Sequence, residues 1–367
     1  MPNKSYGRRY GLYPANELAG ISPEFVLKLP DSILLYPNRS PALPMDLETK
    51  ARLISVGTVR LKTALSLDQA STSGPGAGCG SIFFQSGDRL VRLSVDESSP
   101  LHLSLEEGEA VIREGSRVAA VGRLVQPLAH CPHQAYITVC ERCIYDCKFC
   151  AVPRLMGQPK SPEAVEGIVE ACLEKGGLSA ISLTSGVEVS PQAEVDRIAM
   201  LVRHLGRFNL PIGVSVIPTS QSNRILKEAG AVEVKYNVET VDPDLFEVVC
   251  PGLELEAIKE ALKEAVGVFG PGRVFSNVIA GLGESDRVMR EGIAELAEMG
   301  VLPVIRAVYP HPLRRQEIDM VRPSKERLLD LASHTKRCLD REGLRGDCAL
   351  TMCYRCTGCD LVPHRDL

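Results

Sequence analysis

From about residue 134 to 343, short apolar runs alternate with longer stretches whose apolar residues recur every three or four positions. That alternation of periods predicts strands alternating with helices, hence βα units and a parallel sheet. Strands are expected over Ala135–Val139, Ala180–Leu183, Ile212–Ile217, Val232–Val238, Val274–Ala280 and Leu302–Val308. Ser161-Pro162 opens the first helix, serine as N-cap and proline in the first turn, with Val165, Ile168, Val169, Cys172 and Leu173 on one face and Gly176-Gly177 closing it. Further helices are expected over Pro191–Leu205, Ser222–Ala229, Glu254–Val268, Ser285–Met299 and Ser324–Leu344. Six strands and six helices fit a partial (β/α)6 TIM-type barrel, since a full eight-stranded barrel takes about 250 residues. The rival is a doubly wound open sheet. No G-x-G-x-x-G comes after the first strand, however; a loop of cysteines stands there instead, at the strand end where barrels place their reactive groups.

The first 125 residues read differently. Apolar alternation over Ile82–Val95, interrupted by Ser86-Gly87-Asp88, predicts a hairpin, and a second one runs through Val111–Leu124, turning at Glu114-Gly115-Ser116. Ser73–Gly78 reads as a loop. The chain therefore divides into a β-rich N-terminal domain (1–125), the partial barrel (126–345) and a Cys-rich C-terminal segment (346–367).

Composition narrows the function classes. With 367 residues, 44% hydrophobic, 24% charged and a net charge of −4, the chain reads as a soluble globular protein. Acids and bases are interspersed, so nothing suggests a nucleic-acid footprint. The basic stretch Met1–Tyr10 is followed by no apolar leader, and no run of 18 apolar residues is present; a cytoplasmic address without membrane association is the expectation.

Thirteen cysteines are many for a cytosolic chain, where clusters mean metal or catalysis more often than disulfides. Eight fall into two tight groups, Cys140, Cys143, Cys147, Cys150 and Cys348, Cys353, Cys356, Cys359; Cys79, Cys131, Cys172, Cys250 and Cys338 are scattered and read as small core residues. Cys143, Cys147 and Cys150, spaced C-x3-C-x2-C, can reach one small iron–sulfur cluster. Three thiolates leave one iron of a cubane open, and an open metal position is where a cofactor or substrate enters. Cys140 extends the motif to C-x2-C-x3-C-x2-C, which also admits a four-thiolate structural zinc; a buried thiol beside the site is the preferred role for Cys140.

The trio, with Phe149 just before its last cysteine, resembles the signature of the radical S-adenosylmethionine (SAM) superfamily. The resemblance implies a [4Fe-4S] cluster whose open iron binds SAM, one-electron cleavage of SAM, and hydrogen abstraction from an unactivated carbon, with Phe149 packed near the adenine. Thr184-Ser185-Gly186 ends the second strand, where the superfamily presents backbone to the methionine amino group; the Gly-Gly-Glu of many members is absent. Tyr236-Asn237-Val238-Glu239-Thr240 is similar to the Asn-x-Glu/Asp-Thr segment with which biotin and lipoyl synthases hold the SAM ribose, a role that would fall to Asn237 and Glu239. Ala280-Gly281-Leu282-Gly283-Glu284-Ser285 resembles the segment lying close to the adenosine in the same enzymes, which Gly281 and Gly283 would permit.

The second group, Cys348-x4-Cys353-x2-Cys356-x2-Cys359, is closer to ferredoxin spacing than to the paired turns of zinc sites, and implies a second [4Fe-4S] cluster, with zinc as the alternative. Cys348 is its weakest ligand, and Arg306 or a serine could stand in its place. His130, Cys131 and His133 read as a polar start to the first strand, with ligation or substrate contact as the other option. The chain lacks the N-terminal auxiliary cysteines and the Arg-Ser-Ser-Tyr ending of single-chain lipoyl synthases. It more nearly resembles two-protein lipoyl synthases or the nitrilase-associated radical SAM proteins. The expected function is a radical SAM enzyme, sulfur-inserting in the manner of lipoyl and biotin synthases. The alternatives are radical rearrangement, cyclisation or methylation with an electron-relay cluster, and a non-catalytic two-cluster electron carrier. The implied partners are a low-potential donor, ferredoxin or flavodoxin, and a lipoyl carrier protein or a second radical SAM protein.

Overall fold

The computed structural model describes residues 44–62, 80–155, 157–314 and 316–367. Cys79, the loop at Ser73–Gly78 and the basic stretch Met1–Tyr10 lie outside the described residues. No helix among the described residues is long and apolar enough to cross a membrane.

The N-terminal part opens with α1 (Leu47–Val56), capped by the Asp46 carboxylate, which accepts from Thr49 N at 2.7 Å. Six strands follow: β1 (Thr58–Leu61), β2 (Ser81–Ser86), β3 (Arg89–Val95), β4 (Leu101–Glu106), β5 (Glu109–Glu114) and β6 (Arg117–Val125). β2–β3 and β5–β6 are the two hairpins that the alternation predicts, turning at Gly87 and Gly115, both with positive φ. Sequence periodicity does not reveal α1, β1 and β4. With them the strands close into a barrel in the order β1-β3-β2-β6-β5-β4, which removes every exposed edge. Leu53, Val59, Phe84, Val91, Leu93, Leu101, Leu103 and Ile112 fill it.

After β7 (His130–Cys131), six parallel strands follow in sequence order: β8 (Gln134–Thr138), β9 (Ala180–Thr184), β10 (Ile212–Ser215), β11 (Glu233–Lys235), β12 (Val274–Ala280) and β13 (Leu302–Ala307). Their neighbours are all sequential and parallel, so the sheet is the open, curled (β/α)6 form rather than a doubly wound one. The short α2 (Val152–Leu155) follows the cysteine loop. The covering helices are α3 (Pro162–Lys175), α4 (Pro191–Leu205), α5 (Ser222–Ala229), α6 (Pro243–Val249), α7 (Leu255–Phe269), α8 (Asp286–Glu298) and α9 (Lys325–Arg341). Serine caps begin α3, α4, α8 and α9, each accepting a bond from a first-turn amide.

Strand alternation sorts the side chains. Val234, Tyr236 and Val238 are buried in the apolar core, and the Tyr236 hydroxyl donates to Asn223 Oδ1 on α5 at 2.8 Å. Lys235, Asn237 and Glu239 face the other way, into the hollow of the sheet. The C-terminal segment, with the short α10 (Met352–Cys356), fills the foot of that hollow. Glu233, the first residue of β11 and fully buried, accepts from Leu350 N, Thr351 N and Thr351 Oγ1, and pairs with Arg273 at 2.9 Å. Gln134, the first residue of β8, donates to Met352 O at 3.0 Å and accepts from Met352 N at 2.7 Å. Tyr354 donates to Pro303 O at the foot of β13. Lys50 of α1 pairs with Asp366 at 2.7 Å and donates to Thr357 O, both charges buried, so the same segment is tied to the N-terminal barrel.

This plug leaves no room at Gly213 of β10, where a Cβ would lie 2.0 Å from Thr351 Oγ1. Gly213→Val is expected to lower unfolding stability by about 1–3 kcal/mol through overpacking. Gly267 on the exposed side of α7 has open space, and Gly267→Ala is expected to raise stability by about 0.4–1 kcal/mol. Thermal or denaturant melts check both, and equal effects would contradict the packing described.

Candidate active site

The loop after β8 carries Cys143, Cys147 and Cys150 at the C-terminal edge of the sheet. Backbone bonds shape it: Ile144 N donates to Val187 O, Lys148 N to Val249 O and Cys150 N to Cys147 O. Arg314, fully buried, donates its Nε to Cys150 O at 2.7 Å and pairs with Asp146 and Glu317 at 2.7 and 2.9 Å. A buried guanidinium with two carboxylates and a loop carbonyl holds the cysteines in one arrangement. All three cysteines line a cavity of about 300 Å³ inside the curl of the sheet. Burial pushes the Cys150 thiol up to about 12 and raises Cys143 as well. Thiolates at these positions need the positive charge of a metal centre beside them.

Phe149, Ser185, Gly186, Asn237 and Glu239 line the same cavity. Gly186 is required by its neighbours, since a Cβ there would sit 2.2 Å from Arg142 O. Asn237 Oδ1 accepts from Asn277 N at 3.2 Å. Glu239 adopts a left-handed φ of 57° while bonded through its backbone to Asn277 and Ile279 of β12, a strained conformation that turns its carboxylate inward. Burial raises that carboxyl to about 7, against the opposing pull of Lys235 and the hydrogen bond from Asn237.

Three predicted residues are placed elsewhere. Gly281 and Gly283 do not line the cavity; they belong to a turn in which the Glu284 carboxylate accepts from Gly281 N and Leu282 N, and a Cβ on Gly281 would strike Val321 O at 2.1 Å. At Gly281 the missing side chain makes room for the Val321 carbonyl, while Gly283 has open space around it. Cys348 is exposed in a short helical turn whose carbonyl binds Arg273, away from the cavity. Cys140 is buried, with its thiol on Arg142 O at 3.3 Å, and lies outside the lining; it braces the loop.

Cys353, Cys356 and Cys359 do line the cavity, entering from its foot. So do Tyr136, Thr138, Ser215, Lys235, Asn277 and Arg306, each on an inward position of its strand. Sequence reading passed over most of these; a lysine two before Asn237 and four before Glu239, on one face of a strand, was the signal available. Lys235 Nζ lies 3.2 Å from Tyr136 Oη and 3.6 Å from Cys353 Sγ. Burial would lower the Lys235 pKa, but Cys353 and Tyr136 outweigh it and hold the ammonium charged. Arg306, half-buried, is held charged by Cys359, Cys353 and Asp360. The N-terminal barrel and α1 contribute Ile54, Gly57, Arg92 and Ser94 to the wall. Among the described residues no three His, Cys, Asp or Glu side chains converge tightly enough to hold a single ion. A multi-iron cluster, being wider, asks for more widely spaced thiols.

Residues 137–297 match the sequence model of the Radical SAM superfamily. The chain is 35% identical over 91 residues to the bacteriochlorophyllide c C-7(1)-hydroxylase of Chlorobaculum limnaeum, covering 23% of this chain and 22% of that one. It is 27% identical over 139 residues to the GTP 3',8-cyclase of Peptoclostridium acidaminophilum, covering 36% and 42%. The matches thus span less than half the length of either relative. Among solved structures it is similar to a radical SAM methyltransferase from Sphaerobacter thermophilus (17% identity, TM-score 0.46, covering 73% of this chain and 72% of that one). It is also similar to methylornithine synthase (16% identity, TM-score 0.47, covering 58% and 70%). Residues 137–297, which hold the cysteine loop and most of the curled sheet, are thus similar to the radical SAM superfamily.

Proposed function

We propose that the chain is a radical SAM enzyme that abstracts hydrogen from an unactivated carbon of a substrate held in the cavity, and that a sulfide given up by a second cluster is joined to that carbon. The observation that carries the reading is that both cysteine groups face one cavity, so a carbon bound there faces both. The residues fit the family's cofactors. Cys143, Cys147 and Cys150 would hold a [4Fe-4S] cluster with one iron left open, Asn237 and Glu239 the ribose of SAM, Ser185 and Gly186 its methionine end, and Phe149 its adenine. Bound together, cluster and SAM supply one-electron chemistry able to take hydrogen from an unactivated carbon. The chain's own part is to fix the loop through Arg314, to accept the ribose hydroxyls on Glu239, and to close the cavity with the N-terminal barrel so that water does not meet the radical. Cys353, Cys356 and Cys359 would hold a second [4Fe-4S] centre at the foot of the cavity. A low-potential ferredoxin or flavodoxin supplies the electron, and the substrate arrives on a lipoyl carrier protein or is handed on by a second radical SAM protein.

A second reading, rearrangement, ring closure or methyl transfer with the C-terminal centre relaying electrons, draws support from relatives named for hydroxylation and cyclisation.

Reduced, reconstituted protein is expected to cleave SAM to methionine and 5'-deoxyadenosine; its absence would return the chain to an electron carrier. Cys353→Ala combined with Cys356→Ala is expected to spare that cleavage while abolishing sulfur product and sulfide loss. Product formed with sulfide retained would favour the second reading. Because the Glu239 carboxyl sits at about 7, SAM affinity measured calorimetrically is expected to rise from pH 6 to pH 8 as the carboxylate forms. Glu239→Gln should flatten that rise; an unchanged slope would remove Glu239 from the ribose site.

A further inference from the structure

We infer that Cys131, not Cys348, is the fourth ligand of the C-terminal centre, giving a closed four-thiolate site of Cys131, Cys353, Cys356 and Cys359. This deepens the proposed function and rests on it for the second centre being iron–sulfur. Cys131 stands some two hundred residues before the other three, and only the fold brings it to them. It is the last residue of β7, joined to β8 through Pro132 and His133, and pairs in register with Gln134. His133 takes the positive φ (63°) that the third position of a proline-led tight turn demands. Gln134 in turn grips both backbone groups of Met352, the residue before Cys353. Cys131 and Cys353 are therefore positioned by the two sides of one rigid clamp. Cys131 has no exposed surface and lines the cavity together with the other three cysteines. Cys348 meets none of these conditions.

Charge is the independent observation. Lys235 is a buried cation and Arg306 a half-buried one, and cations withdrawn from water are costly without counter-charge. Lys235 has Tyr136 Oη and Cys353 Sγ as its hydrogen-bond partners, Arg306 has the Asp360 carboxylate at 3.7 Å, and the Glu239 carboxyl faces both cations across the cavity. Two cations facing a group of thiols suit a net-negative thiolate cluster, whose potential they would raise. Four protein ligands leave no iron open at this centre, in contrast to the loop of Cys143, Cys147 and Cys150. The substrate is then held by the cavity wall and not by an iron of the second cluster, which acts as sulfur source or electron relay.

The test isolates the second centre in full-length protein carrying Cys143→Ala, Cys147→Ala and Cys150→Ala, reconstituted anaerobically. About four irons and four sulfides per chain are expected. Adding Cys131→Ala is expected to reduce the count to about three or to none and to change the electron paramagnetic resonance signal; adding Cys348→Ala is expected to leave both unchanged. Cys131→Ser, close in volume, keeps the strand packed and should hold iron through oxygen with a shifted signal, which guards against misfolding as the cause. Full iron with an unaltered signal in both Cys131 variants, or loss in the Cys348 variant, would overturn the assignment while leaving the second centre in place. A triple variant without cluster iron would overturn the second centre and this assignment with it.

Discussion

Glu233 stands fully buried at the foot of the fourth parallel strand, and how it is satisfied sets the rest of the molecule. A carboxylate removed from water must be matched by donors, and these come from Leu350, Thr351 and Arg273. Two of those donor residues lie in the C-terminal segment. That segment therefore cannot trail over the surface; it is drawn into the open end of the curled sheet, where Gln134 and Pro303 complete its bonding. The half-barrel, which as an open sheet would have a gaping floor, is closed by its own tail.

Closure from below creates the chamber that the chemistry needs. The tail brings Cys353, Cys356 and Cys359 to one end of the hollow, while the loop after β8 sets Cys143, Cys147 and Cys150 at the other. Between them the inward strand positions carry polar and charged groups, Tyr136, Lys235, Asn237 and Asn277, that a plain structural barrel would fill with aliphatics. The N-terminal barrel closes the side, bound to the tail by the buried Lys50–Asp366 pair and by Arg92 N on Gly358 O at 2.6 Å. Three segments that look independent along the chain thus wall one chamber.

Much of this was legible in advance for definite reasons. The six parallel strands, the covering helices with serine caps and the two hairpins follow from local periodicity and capping, which act over a few residues. That the cysteine loop and the Asn237/Glu239 pair face one cavity was readable because each set is short and contiguous and stands at a strand end. Gly281 reads in sequence like a glycine demanded by a cofactor, whereas it is the close carbonyl of Val321 that demands it. Closure of the N-terminal barrel was missed because it depends on β1 meeting two distant strands, β3 and β4, in parallel.

Sequence alone determined the parallel half-barrel, the end of it that carries the cysteine loop and the close spacing of three thiols there, since spacing and period are local properties of the chain. Only the tertiary structure decided that the second cysteine group turns inward to share the first group's chamber, and that Cys131 joins it while Cys348 stays at the surface. The reason is that burial of Glu233 and the clamp of Gln134 on Met352 couple residues more than a hundred positions apart, and no pattern along the chain records such a coupling.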